Sequence, residues 1–346
     1  ILTDACGGIK IYPNPVGSTF TLEAPMTINK VKIFTMDGQL VKVVKGVKDT
    51  TVKINVEELD ENLDALLHFS DTQFSVPKVY QWTVKNNVKY IPYIGVVESH
   101  STNALKRLIT NVKFQQNLKV YKKCSCLVKT PQVQKKLNSL GVRQVAVASV
   151  GLDMALLKND YADFSVNEIK QKYGYSPEKK VLLFIGRLID EKRPLAMLEL
   201  FERIAAKDDS YELLFVGSGE LKNQVAEYIR THKMEKKVQW IEKIPNTQIW
   251  ELYYLADAFV NLNQQEIFGM AILEAMYYGC KVIAWTAPGP DFIIENGVSG
   301  WLVSTEQELE EKVFDETDFS KNAHIRIVDK FTWESTAQKV MRTVEK

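Results

Sequence analysis

The sequence predicts an α/β protein of two doubly wound domains with a strand-rich start ahead of them. Three observations carry this expectation. The chain has 346 residues, more than one domain of ordinary size holds. From about residue 64 onward, short apolar runs alternate with helical patterns, the order of a parallel sheet covered by helices. The alternation lapses between Gly151 and Lys180 and then restarts, as at a domain connection.

The first 60 residues differ from the rest. Phe20–Leu22, Lys30–Thr35, Leu40–Val44 and Thr51–Val56 read as short strands, and Asp37-Gly38 is a hairpin signal between two of them. No room is left for a long first helix. Ala65–Phe69 then reads as a strand, Val76–Asn86 as a helix, Tyr90–Ile94 as a strand and Thr102–Lys122 as a long amphipathic helix. Ser125–Val128 is a strand. Thr130-Pro131 supplies an N-cap and a first helical residue for a helix to Leu140, and Gln144–Ala148 is a strand. The second series is Val181–Ile185, Leu195–Ala206, Leu213–Val216, Leu221–Thr231, Val238–Ile241, Thr247–Ala256, Phe259–Leu262, Met270–Tyr278 and Val282–Trp285. A final helix spans Trp333–Val344. The boundaries expected are a first domain over 1–155, a second over 156–330 and a C-terminal helix, 331–346, that packs back toward the first domain.

The composition, 45% hydrophobic and 25% charged, excludes collagen-like and disordered classes. No run of about 18 apolar residues exists, so no membrane-spanning helix is expected. The numbering opens at Ile1 without a basic segment followed by an apolar one, so no signal peptide is expected within it. Four cysteines are too few for a disulfide framework at this length, and reduced thiols in a cytoplasmic protein are expected. The net charge of +1 hides an asymmetry: residues 104–145 carry ten Lys and Arg and no acid. A solvated helix face would account for the run. So would a surface that meets an anionic membrane, a lipid phosphate or a nucleic acid. Nucleic acid fits least well, because no aromatic-rich binding motif accompanies the charge.

Three segments carry chemistry. In Glu266-Ile-Phe-Gly-Met-Ala-Ile-Leu-Glu274, two carboxylates flank a Phe-Gly turn that opens a helix. Gly269 lets backbone approach a ligand, and the amides of Gly269, Met270 and Ala271 stand at a helix N-terminus suited to phosphate. Glu266 in the loop and Glu274 in the second turn can face one ligand, and carboxylates suit the diols of sugars and ribose. Spacing alone leaves open a solvent-facing Glu266 and an ordinary helical Glu274. In Phe184-Ile-Gly186-Arg187, a buried strand ends at Gly-Arg, and Lys192 follows before a helix. Two cations at a strand end would neutralise a diphosphate, and two surface cations would read the same way. In Val216-Gly217-Ser-Gly219, a strand meets a glycine-rich turn without the third glycine of a dinucleotide fingerprint.

Together these segments resemble the retaining family 4 glycosyltransferases of GT-B architecture, two Rossmann-like domains facing a cleft. The resemblance covers 64–346 and is strongest over 144–346. It is carried by Val150-Gly151-Leu-Asp153, Gly186-Arg187 with Lys192, Val216-Gly217-Ser-Gly219, the Glu-x7-Glu pair, Ala287-Pro-Gly289, Asn296-Gly297-Val-Ser-Gly300-Trp-Leu-Val303 and Phe331-Thr-Trp333-Glu. It implies that Arg187 and Lys192 hold the donor's diphosphate and that Glu274 takes the ribose hydroxyls. Glu266 would contact the transferred sugar, and the Gly269–Ala271 amides would meet sugar and β-phosphate. His100 matches a family histidine near the donor sugar, and Gly8 matches the N-terminal glycine loop. The other histidines, His68, His232 and His324, read as structural. The stretch around Ile11-Tyr12-Pro13-Asn14-Pro15 also resembles the β-sandwich sorting domains of secreted Bacteroidetes proteins. Those domains sit at the C-terminus of exported proteins, whereas this stretch stands first.

The resemblance implies transfer of a sugar, from a UDP-sugar in the first instance, to a glycan, lipid-linked or protein acceptor in polysaccharide or glycoconjugate synthesis. Cations and a helix N-terminus would stabilise the leaving diphosphate. No Asp-x-Asp occurs, so no metal or other cofactor is expected. Two other readings stay open: a non-catalytic, glycan-binding partner of a glycosyltransferase complex, and a sugar-nucleotide epimerase on the same fold.

Overall fold

The computed structural model describes residues 10–13, 19–34, 40–55, 64–70, 75–95, 97 and 104–345, with side chains from residue 64 onward except at 104–106. Packing divides the chain into two units, one of residues 1–147 with 340–346 and one of residues 148–339.

The first unit opens with a three-stranded antiparallel sheet. Strand β1 (Lys10–Pro13) pairs with β2 (Thr19–Phe34), which pairs with β3 (Leu40–Asn55). The four short strands expected here are two long ones, because each pair of apolar runs is continuous through its polar middle. Register shifts near Glu23, Ile28 and Lys30 absorb the break in alternation. Phe34 pairs with Leu40, and the hairpin signal Asp37-Gly38 lies outside the described residues.

A four-stranded parallel sheet follows. Its strands β4 (Ala65–Phe69), β5 (Lys89–Ile94), β6 (Cys126–Val128) and β7 (Val145–Val147) run in sequence order. Helices α1 (Val76–Lys85), α2 (Ala104–Tyr121) and α3 (Pro131–Ser139) connect them. One cluster joins Tyr90, Ile94, Cys126 and Val128 to Val76, Phe114, Leu118, Val133 and Leu137 of the helices. On the opposite side of these strands Ile91, Tyr93 and Leu127 are also buried. Thr130 caps α3 as expected, its hydroxyl accepting from Val133 N at 3.4 Å.

The second unit is built on six parallel strands: β8 (Lys180–Ile185), β9 (Tyr211–Val216), β10 (Val238–Ile241), β11 (Ala258–Asn261), β12 (Lys281–Trp285) and β13 (Trp301–Val303). Their spatial order is β10-β9-β8-β11-β12-β13, so the winding reverses between β8 and β11. Side chains alternate between two cores. Val181, Leu183, Leu214, Phe259 and Val282 enter one, and Leu182, Phe184, Leu213, Phe215, Val260 and Ile283 enter the other. Burial on both faces explains why these strands read as unbroken apolar runs. The helices are α4 (Val166–Lys172), α5 (Pro194–Lys207), α6 (Lys222–Thr231), α7 (Ile249–Leu255), α8 (Met270–Tyr277), α9 (Pro290–Ile293), α10 (Glu306–Phe314), α11 (Ser320–Lys330) and α12 (Trp333–Val344).

The chain enters and leaves the second unit side by side. Leu152 N donates to Phe331 O at 2.8 Å, Trp333 N donates to Leu152 O at 3.0 Å, and the Thr336 hydroxyl donates to Ser149 O at 2.6 Å. A Cβ on Gly151 would stand 2.2 Å from the Thr332 carbonyl carbon, so only glycine lets the two segments cross this closely. Helix α12 ends in the first unit, where Lys89 Nζ donates to Val344 O at 2.8 Å.

Candidate functional site

Ligands of open α/β sheets bind beyond the carboxyl ends of the strands, where the winding reverses. Here that point lies between the loops leaving β8 and β11. The β8 loop carries Gly186, Arg187 and Lys192, and the β11 loop carries Asn263, Glu266 and Gly269. The structure joins them: Lys192 Nζ lies 2.5 Å from Glu266 Oε2, with both side chains mostly buried.

The rest of the β11 loop fixes Glu266. Asn263 is buried, and its amide donates to Glu266 Oε2 at 3.1 Å and to Glu191 Oε1 at 3.3 Å. Asn263 is itself held, its backbone donating to Asn261 Oδ1 at 3.0 Å and its Oδ1 accepting from Gln265 N at 2.9 Å. The Glu266 carbonyl accepts from Gly289 N at 2.8 Å, tying in the Ala287-Pro-Gly289 segment. A Cβ on Gly289 would lie 2.1 Å from Phe268 O, which accounts for that glycine by packing.

Gly269 caps α8 at φ +100°, where a side chain is strained. Met270 and Ala271 follow in the first turn, where a helix has no acceptors of its own for its amides. Glu274 sits one turn on. Its Oε2 accepts from the Tyr253 hydroxyl at 2.8 Å. Burial holds its pKa above the usual carboxylate range, and the Tyr253 bond opposes that shift. Arg187 is exposed, and its guanidinium has no polar partner among the described residues.

Gly186 and Gly217 are neighbours for a steric reason. Gly217 has φ +144°, and a Cβ there would lie 1.9 Å from Gly186 O. The β8 and β9 loops are further bound by Gly186 N to Val216 O and Leu188 N to Ser218 O, each 3.0 Å. Gly217 thus sets the level of the Arg187 loop.

Gly186, Arg187, Lys192, Glu266, Gly269, Met270, Ala271 and Glu274 all lie on the loops and helix starts at one end of this sheet. His100 and Gly8 lie outside the described residues. The remaining histidines have protein partners: His68 with Tyr90 at 2.6 Å, His232 with Glu202 at 3.0 Å, and His324 with Tyr161 at 3.1 Å. Cys124, Cys126 and Cys280 are buried free thiols, and burial pushes that of Cys124 up to about 12.

Sequence reasoning missed Asn263 and Tyr253. Asn263 stands three residues before Glu266 in an Asn-x-Asn turn after a buried strand, a signal that was readable. Tyr253 sits in the aromatic run Trp250–Tyr254, which reads as core, and nothing in the sequence marks its hydroxyl for Glu274.

Comparison with known proteins adds to this geometry. Residues 165–315 match the family described as Glycosyl transferases group 1. Residues 10–62 match the family described as Secretion system C-terminal sorting domain. The chain is 28% identical over 142 residues to N-acetyl-alpha-D-glucosaminyl L-malate synthase of Bacillus anthracis, covering 41% of this chain and 36% of that protein. It is 22% identical over 240 residues to alpha-monoglucosyldiacylglycerol synthase of Acholeplasma laidlawii, covering 68% of this chain and 58% of that protein. It therefore spans less than two thirds of these relatives. Among solved structures, Anabaena HepE in complex with UDP-glucose superposes with a TM-score of 0.66 at 18% identity, covering 82% of this chain and 78% of the other. That likeness shows the fold to be GT-B. Residues 165–315 are similar to the glycosyl transferases group 1 family, and within them Lys192 and Glu266 are joined where the sheet reverses.

Proposed function

We propose that the protein is a retaining glycosyltransferase that moves a sugar from a nucleotide-diphosphate donor, a UDP-sugar in the first instance, to a glycan, lipid-linked or protein acceptor. The observation that carries this reading is the Lys192–Glu266 pair at the reversal point, beside the free amides of the α8 N-terminus. In this reading Arg187 and Lys192 meet the diphosphate, and the Met270 and Ala271 amides meet its β-phosphate. Glu266 accepts from hydroxyls of the transferred sugar. Glu274 accepts from the ribose, using the oxygen that Tyr253 leaves unengaged. The bond between the anomeric carbon and the diphosphate breaks as the acceptor oxygen attacks from the same face, and the acceptor hydroxyl's proton passes to the departing diphosphate oxygen. The developing charge on the diphosphate is offset by two cations and a helix N-terminus already in place, with no metal in the proposal. The first domain would bind the acceptor. Polysaccharide or glycoconjugate assembly is the setting that suits this chemistry.

The test is nucleotide binding. Wild type should be stabilised thermally by a nucleoside diphosphate, because a ligand of the folded state alone raises its stability. Glu274→Ala should weaken that binding by about 1.5–3 kcal/mol, as expected for hydrogen bonds to a charged group. Full affinity in the variant would remove Glu274 from the ribose.

A lipid-linked acceptor would place the enzyme on a membrane surface, and the charge run over 104–145 supports this. On α2, Phe114, Leu118 and Tyr121 are buried while Leu108, Ile109 and Val112 are 60%, 44% and 52% exposed. Lys119 shares the outward face with Leu108 and Val112, at helical spacing. Apolar side chains rimmed by lysines suit an anionic leaflet, where each cation contributes about 1 kcal/mol. Sedimentation with anionic vesicles is expected and should be lost near about 0.5 M salt, as the Debye length shrinks to a few ångströms. The triple change Lys119→Glu, Lys122→Glu and Lys123→Glu should weaken it and leave nucleotide binding intact. Equal binding to neutral vesicles would end the electrostatic reading.

We place the enzyme at the cytoplasmic face, where nucleotide sugars are made. Among the described residues no helix is long and apolar enough to cross a membrane. A second reading comes from residues 10–62, whose family is named for sorting in a secretion system. On that reading the chain is exported, and fractionation of cells expressing it decides between the two.

A further inference from the structure

We propose that Tyr253 is a positioning residue for Glu274: its hydroxyl fixes one carboxylate oxygen and leaves the other to accept from the ligand. The proposal rests on reading Glu274 as the ribose ligand, and its test separates the two.

The two carboxylates of the Glu-x7-Glu pair are held in opposite ways. Glu266 takes the Lys192 ammonium and the Asn263 amide on one oxygen, Oε2. Among the described residues Glu274 has no cation: α8 reads Met-Ala-Ile-Leu-Glu-Ala-Met-Tyr, and the partner of its Oε2 is a neutral phenol. A phenol donates one hydrogen to one oxygen, whereas an arginine fork would engage both. Oε1 of Glu274 has no partner among the described residues.

The donor is rigidly placed. Tyr253 is 0% exposed on α7. Its ring meets Phe259 edge-on at 5.9 Å and lies parallel to Tyr278 at 6.3 Å. A tyrosine that served packing alone would not need to direct its hydroxyl to the one carboxylate of the neighbouring helix. Burial disfavours the charged form of Glu274, and the Tyr253 bond opposes that effect.

The variant Tyr253→Phe keeps the ring and removes one oxygen. Affinities are measured for uridine, guanosine and adenosine 5′-diphosphates and their 2′,3′-dideoxy forms, and the pair that wild type binds tightest is used. The readout is the ratio of ribo to dideoxy affinity, from which the active fraction of each preparation cancels. In Tyr253→Phe the ratio should fall by about 3-fold or more, the worth of one ordinary hydrogen bond, with dideoxy affinity nearly unchanged. In Glu274→Ala it should approach one, and adding Tyr253→Phe to that variant should change it no further. A wild-type ratio in Tyr253→Phe, with the ratio lost in Glu274→Ala, overturns the role of Tyr253 and leaves that of Glu274. A ratio unaltered in Glu274→Ala, or no nucleotide bound at all, overturns the nucleotide reading and Tyr253 with it.

Discussion

Arg187→Ala should lower sugar transfer by about 100-fold or more, the loss that follows removal of one preorganised donor to a developing negative charge. Arg187 is exposed and its guanidinium has no polar partner among the described residues, so its removal disturbs no ion pair there. Lys192→Ala should cost at least as much and for two reasons. It removes a cation from the leaving group, and it strands the Glu266 carboxylate, whose side chain is 12% exposed. The two effects separate in the double variant. Lys192→Ala with Glu266→Ala should fall well short of the product of the single losses, because the residues are in contact. Turnover assayed with saturating donor reads this directly. Near wild-type turnover in both single variants would remove the diphosphate assignment.

Gly217→Ala should destabilise the second unit by about 3 kcal/mol or more, from a strained backbone and an overpacked site together. The added methyl would sit 1.9 Å from the Gly186 carbonyl oxygen; its direction is set by the main chain and the carbonyl is backbone, so neither can swing aside. Gly174→Ala is the control. Its φ is +86° and nothing lies within 4 Å of the new Cβ, so only the left-handed strain of about 1 kcal/mol remains. Thermal or urea unfolding of the two variants should separate them clearly. Equal losses would mean that the crossing of the β8 and β9 loops is looser than its geometry indicates. Gly217→Ala should also lower nucleotide affinity, because the β8 loop carries Arg187 and Lys192.

These glycines mark how far the sequence could be read. The strands of the second sheet were legible because both faces are buried, and each became an unbroken apolar run such as Val181–Phe184. Their ends were legible because glycine and charge follow at once. The reversal between β8 and β11 was not, since strand order depends on contacts far apart in the chain. The segment after β12 was also opaque. Strand β13 has three residues, and α11 commits only Ala323 and Ile327 to the core, too few for a helical period to stand out. At the site, Glu266, Glu274, Arg187 and Lys192 could be singled out as charges beside glycine turns. That Lys192 would reach Glu266 could not, because 74 positions separate them. Asn263 and Tyr253 act through other side chains, and a residue that works by holding another leaves only a faint mark in sequence.

The crossing of Gly151 over Thr332 bears on how such a chain can be assembled at all. The residues that lead into the second unit and those that lead out are hydrogen-bonded to each other. A module of this kind behaves as a cassette: its two attachment points coincide, and a different leading sequence can be spliced ahead of it without stretching a connection or opening its core. Residues 10–62 and 165–315 match two different families, with no overlap between them. Recombination needs a joint that tolerates new neighbours, and two segments already fastened to each other provide one.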